Sequence, residues 1–356
     1  MLPPQATSAL NTSDKTMQAT YPLTPKRRFL AGILGGRVDC TPIGSVTSVA
    51  NVEQMEITGA YFPDVHLDGE KMARLAAGAH TLLGYDAIMP YFSVQAEAGA
   101  LGCAVDWGDR TNMPVEQKHP WAEPNQVRIP SDFLDRPSTR AVLDAIRILR
   151  MQYGERVAIV GKVMGPWTLA YHTHGLQDFL IETKLEPDKV RRFLQQLKHI
   201  TLLFGTAQIR AGADVLCIAD HATGDLVSPR MYREFLLPVH RELTQRLGCP
   251  TVLHICGNTF DRLDDICTSG FDAFHFDSKV DARKAVARVA GRISLVGNIN
   301  NPEVLFKGTV EAVDRQTREA IQAGVNVVGP ECAIPLETPF ENLLAITRAA
   351  RAKDQP

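Results

Sequence analysis

His254 and Cys256 stand two residues apart at the end of a short apolar run, TVLHIC (251–256), and a glycine turn follows them. Side chains two apart on a strand share a face, so imidazole and thiol point the same way. Both groups are ordinary zinc ligands. Cys332 lies just beyond another apolar run, VNVVGP (325–330), and can add a third ligand from a different strand end. Three protein ligands leave a fourth position open, which marks a catalytic zinc rather than a structural one. Structural sites favour CxxC pairs, and the chain has none. Spacing alone leaves other readings open. Cys256 could be a nucleophile, or an apolar core cysteine beside a core histidine bonded to backbone.

Residues so far apart in sequence meet only if a fold brings them together. Eight apolar runs recur along the chain: TPIGSV (41–46), YDAIMP (85–90), RVAIVGKV (156–163), ADVLCIAD (213–220), TVLHIC (251–256), FDAFHFD (271–277), RISLVGN (292–298) and VNVVGP (325–330). Most are apolar throughout, as parallel strands buried on both faces must be. Between them lie segments with apolar residues at spacings of three and four, such as QDFLIETKLEPDKVRRFLQQLKHITLLFGTAQIRAGA and PEVLFKGTVEAVDRQTREAIQAG. The pattern predicts a (β/α)8 TIM barrel, with an open doubly wound sheet as the alternative. No GxGxxG follows a first strand, which counts against a dinucleotide fold. Residues 91–141 contain Pro114, Pro120, Pro124, Pro130 and Pro137 and are expected to form long loops or an irregular lid at the C-terminal face.

Barrel enzymes build their sites at the C-terminal ends of the strands. Asp220 and His221 close the fourth run, His254 and Cys256 the fifth, Asp277 the sixth and Asn298 the seventh, with Glu331 and Cys332 beyond the eighth. Before the barrel, TPKRRFLAGILGG reads as a helix capped by Thr24, begun by Pro25 and stopped at Gly35-Gly36. Residues 1–20 are polar, lack the pattern of a secretory signal, and are expected to be a flexible lead-in to one catalytic domain over 21–356.

The totals set outer bounds. The chain has 356 residues, 45% hydrophobic and 22% charged, which suits a large globular core. Its net charge of −2 gives no reason to expect a nucleic-acid partner. No apolar run is long enough for a transmembrane helix. Seven scattered cysteines, an odd number, do not form a disulfide framework and suit a reducing, cytoplasmic setting.

HICGNT (254–259) together with GPECAIPLETPFENL (329–343) resembles the uroporphyrinogen decarboxylase superfamily, and within it the zinc-dependent methylcobamide:coenzyme M methyltransferase type. ADVLCIADHATGDLVSPRMYREFLLPVHREL (213–243), LVGNINNPEVLFKGTVEAVDRQTREAIQAGVNVVGP (295–330) and GPWTLAYHTHG (165–175) resemble further parts of that family, so the likeness spans about residues 26–351. It implies zinc on His254, Cys256 and Cys332. It implies transfer of a methyl group from methylcobalamin, carried by a separate corrinoid protein, to a small thiol such as coenzyme M or homocysteine. A pterin acceptor, a decarboxylase-like lyase and a non-catalytic corrinoid or metal binder are the alternatives. True decarboxylases carry an Arg-Gln-Ala-Gly-Arg signature near the first strand, whereas SVTSVANVEQMEITGAYFPD (45–64) has no arginine.

Around the trio, Asp220 is expected to contact substrate or support the metal histidine, and Asn298 to hydrogen-bond substrate. His172 and Asp277 are the candidates for corrinoid contact. Glu331 stands where many relatives have glycine, and is expected to point outward rather than to ligate. Cys40, Cys103, Cys217, Cys249 and Cys267 read as packing residues, as do Trp167 and Tyr171.

Overall fold

A computed structural model describes residues 22–352. The expected lead-in, residues 1–20, therefore lies outside the described residues. Thr24 caps the helix Pro25–Ile33 by accepting the Arg27 amide, and Gly35 takes a φ of +69° just beyond it.

Seven parallel strands follow: β1 (Ala87–Ile88), β2 (Ala158–Met164), β3 (Val215–Ala219), β4 (Thr251–Ile255), β5 (Ala273–Phe276), β6 (Ser294–Ile299) and β7 (Val327–Pro330). They pair in that order, each with the next. All their residues are buried, as parallel strands covered by helices require. The eighth expected strand, residues 41–46, shrinks to one bridging residue, Ile43, paired parallel to Val328. That residue closes the ring. The Val328 amide donates to the Pro42 carbonyl at 2.9 Å and the Gly44 amide to the Val328 carbonyl at 3.0 Å, while the Asp86 amide donates to the Ile43 carbonyl at 2.8 Å. The ladder runs no further because Pro42 has no amide hydrogen to give. Gly44 and Gly329 also approach so closely that a Cβ on Gly329 would lie 2.1 Å from the Gly44 carbonyl oxygen. The barrel is thus closed by backbone contact rather than by a full strand.

Helices cover the outside. The long segment after β2 breaks at Glu186-Pro187 into Leu176–Leu185 and Pro187–Ala211, because proline cannot continue the preceding helix. Before β7, Thr309 caps the helix Val310–Ala323 and Gly324, at φ +95°, ends it. The proline-rich stretch holds a short helix, Ala96–Ala100, an antiparallel ribbon pairing Val105–Asp106 with Val115–Glu116, and two 3-10 turns. It leans on the helix Pro166–His174 that leaves the C-terminal end of β2, with the Trp121 amide donating to the Thr173 carbonyl at 3.0 Å. Among the described residues, no helix is long and apolar enough to cross a membrane.

Candidate metal centre

β4 ends at Ile255, so His254 and Cys256 project from the last turn of the strand into the ring's interior, as their spacing requires. Cys332 arrives from the loop after β7. One ligand atom from each of the three residues lies within 4.8 Å of the others. The Cys332 Sγ is 3.4 Å from the His254 Nε2, which makes Nε2 the nitrogen that faces the thiols. All seven cysteines are free.

The hydrogen bond from Cys256, together with the nearby His254 and His275, holds Cys332 well below the ordinary thiol range despite its burial. The same hydrogen bond, with burial, pushes Cys256 up. Two cysteine sulfurs and an imidazole converging at one point form the soft donor set that zinc prefers, and a bound metal takes the place of the thiol protons. The residues present therefore fit a zinc ion.

The turn that carries Cys256 is fixed from three sides. Gly257 has φ +80°. A Cβ there would lie 2.0 Å from the Thr223 Oγ1. Its amide donates to the Asp277 Oδ2 at 2.7 Å. Gly257→Ala is expected to cost about 3 kcal/mol, the sum of a left-handed backbone and an overpacked contact, and to move Cys256 off its partners. Chemical denaturation and zinc content of the purified variant check this.

The other candidates divide. Asp277 sits beside the trio, but its second oxygen accepts the Lys279 amide at 2.8 Å, so its carboxylate holds the loops. Asn298 is buried and donates to the Val280 carbonyl at 3.0 Å, which secures the same loop from β6. Asp220 is not brought to the trio. Its carboxylate accepts the Thr168 amide at 2.9 Å and faces the His240 Nε2 at 2.8 Å, on the side of β3 that meets the helix Leu237–Arg246. Glu331 corrects the outward expectation. It is buried, and it accepts the Ser278 amide and the Asn301 amide, each at 2.8 Å, tying together the loops after β5 and β6. His172 lies on the helix Pro166–His174, where its carbonyl accepts from the His119 ring at 2.9 Å while its own Nδ1 is buried without a partner. Burial pushes the His172 ring down to about 4, leaving it neutral. Its neighbour His221 lies within electrostatic reach of Cys332 and His254.

Two inward-facing residues escaped the sequence reading. Lys162 is the lone lysine of the β2 run and is 3% exposed. Its Nζ sits 5.1 Å from the Tyr91 ring centroid. Burial pushes it down, against the pull of Cys217, Cys332, Glu97 and Cys256. Glu97 is already engaged by the Tyr91 hydroxyl and the Met164 amide. His275 pairs in register with His254, and their rings lie 4.6 Å apart at 34°. A single cation in an apolar run was the available signal for Lys162; none marked His275.

The fold and site together define a barrel with a candidate metal site of two cysteines and a histidine at the C-terminal ends of its strands. The family model of uroporphyrinogen decarboxylase (URO-D) matches residues 24–353, and the chain belongs to that family. Within it, the chain is 35% identical to a methylated-thiol–coenzyme M methyltransferase of Methanosarcina mazei, over 94% of this chain and 91% of that protein. It is 33% identical to a methylcobamide:CoM methyltransferase of Methanosarcina barkeri, over 92% and 97%. A solved methyltransferase from Methanosarcina mazei superposes with a TM-score of 0.89 at 34% identity, covering 92% of this chain and 98% of that one.

Proposed function

We propose that this protein transfers a methyl group from a methylated corrinoid, carried by a separate protein, to the sulfur of a small thiol. The observation that carries the reading is the convergence of two cysteines and a histidine within 4.8 Å at the strand ends. The names of the M. mazei and M. barkeri relatives, which pair methylcobamide or a methylated thiol with coenzyme M, support it. The thiol-rich interior, with every cysteine free, suits a reducing cytoplasmic setting.

His254, Cys256 and Cys332 would hold the zinc. A zinc ion there supplies the Lewis acidity that keeps an acceptor sulfur deprotonated near neutral pH. Cys256 and Cys332 place negative charge beside that sulfur and keep it nucleophilic, and the buried Lys162 lies within electrostatic reach of both thiols from within the ring. In the transfer, a sulfur–carbon bond forms as the cobalt–carbon bond breaks, and the bonding pair leaves on cobalt. Asp277, Asn298 and Glu331 act by fixing the loops that present the cysteines. His172, with its unpartnered nitrogen, is the residue offered to the corrinoid or its carrier.

An acceptor panel tests the reading. Methylcobalamin loss, followed by absorbance, is expected with 2-mercaptoethanesulfonate or homocysteine and not with tetrahydrofolate. Turnover with the pterin alone would reassign the acceptor. No turnover with any acceptor, from protein that retains its zinc, would sink the enzyme reading.

A further inference from the structure

Lys162 is a buried amine that no carboxylate of the chain meets. It is 3% exposed. The other buried lysines and arginines, Arg28, Lys189, Lys198 and Arg262, each pair with a carboxylate. Among the described residues, the Lys162 Nζ has no ion pair and no hydrogen bond, and it lies over the Tyr91 ring. Glu97 acts on it through space, with its oxygens already held by the Tyr91 hydroxyl and the Met164 amide. An unpaired buried amine carries a desolvation cost that its paired counterparts avoid. The strand register says which way it faces. Lys162 pairs with Cys217 on β3 and Cys217 with Val252 on β4, so the three side chains share one side of the sheet. Val252 lies two residues before His254, so that side is the interior of the ring. At roughly 3.3 Å per residue, Lys162 starts about 6–7 Å deeper in the ring than His254, beneath the metal ligands.

The cysteines above do not supply a counter-ion once metal is bound. Two thiolates and a zinc ion sum to no net charge, so the loaded trio leaves Lys162 unmatched. An anion from outside the chain completes the pair. We propose that Lys162 receives the acidic group, a sulfonate or a carboxylate, of the acceptor thiol. The inference rests on the proposed function and adds to it the class of acceptor, a small thiol with a negative charge at its far end. Such a molecule lies along the ring, its acid inward on Lys162 and its sulfur level with the trio. The sulfur then faces the open end, from which a corrinoid too large to enter the ring must approach. The negative charge of the acid favours the charged form of the amine and offsets the cost of burying it. A neutral thiol of the same size gains nothing from Lys162, so this one residue selects the acceptor.

Calorimetry of the zinc-loaded protein with 2-mercaptoethanesulfonate, 3-mercaptopropionate and 2-mercaptoethanol tests the proposal. The native protein is expected to bind the better of the two acids about 10–100-fold more tightly than the neutral thiol, the worth of a hydrogen bond between charged groups. The acid it prefers names the group that Lys162 receives. Lys162→Met keeps most of the side chain's length and removes its charge. In that variant the preference is expected to be lost, with the weakening confined to the acids. Three results would overturn the proposal: equal binding of all three thiols by the native protein, a preference that survives in Lys162→Met, or an equal weakening of all three in the variant, which marks a structural role. If Lys162→Met fails to fold, Lys162→Gln, which keeps a polar end without charge, decides by the same criteria. Metal analysis of the same samples keeps the two readings apart. A native protein that retains no zinc overturns the zinc reading and this inference with it, whereas a zinc-loaded protein that binds the three thiols alike overturns this inference alone.

Discussion

Replacing Cys256 or Cys332 by serine is expected to strip the protein of zinc and to lower methyl transfer about a thousandfold. The magnitude follows from the chemistry at stake. Lewis-acid stabilisation by a bound metal is worth several kcal/mol, and each 1.4 kcal/mol is about tenfold in rate. Serine is nearly the same size, so the fold is expected to survive. The hydroxyl, however, stays protonated where a thiol is held as a thiolate. The two variants should differ in detail. Cys332 is the thiol held low by Cys256 and His254, and Cys256 is the one pushed up, so the two substitutions remove unlike members of one coupled pair. Metal analysis beside the activity assay checks the expectation. Native activity in either variant would remove the cysteines from the reaction.

Asp220→Ala is expected to be the largest stability defect near the site, about 3–5 kcal/mol. Asp220 and His240 are both almost wholly buried, and Tyr232 continues the chain with its hydroxyl 3.1 Å from the His240 Nδ1. Removing one partner of a buried pair leaves the other desolvated and unmatched, which accounts for that cost. The Thr168 amide also loses its acceptor. Gly165 shows how closely the carboxylate is fitted, since a Cβ there would lie 2.1–2.3 Å from its atoms. Denaturant unfolding is expected to show a lower midpoint with an unchanged slope, while the kcat of the folded, zinc-loaded fraction changes little. A stable variant with kcat lowered a hundredfold would return Asp220 to the reaction.

The cysteines and Asp220 mark what a sequence can and cannot say about this protein. His254 and Cys256 were legible because strand periodicity puts i and i+2 on one face, whatever the rest of the fold does. Cys332 was legible only through the motif around it, since nothing local ties residue 332 to residue 256. Asp220 stood at the right strand end, yet its direction depends on His240, which a helix returns beneath β3. No spacing rule reports that return. Glu331 was misplaced for the same reason: its partners, Ser278 and Asn301, come from two other loops. Among the strands, the seven long enough to propagate a ladder were readable from their apolar runs. The 41–46 segment was over-read because Pro42 and the close approach of Gly44 to Gly329 limit it to one bridging residue. Lys162 and His275 were missed because the interior of a barrel is defined by closure, and a polar residue turned inward looks like any interruption of an apolar run.

The most direct test of the central claim is methyl transfer from methylcobalamin to 2-mercaptoethanesulfonate by one preparation in three states: as purified, stripped by chelator, and reloaded with zinc. The account predicts turnover in the first, its loss in the second, and its return in the third in proportion to zinc bound, up to one ion per chain at His254, Cys256 and Cys332. Undiminished turnover by the stripped protein would contradict it.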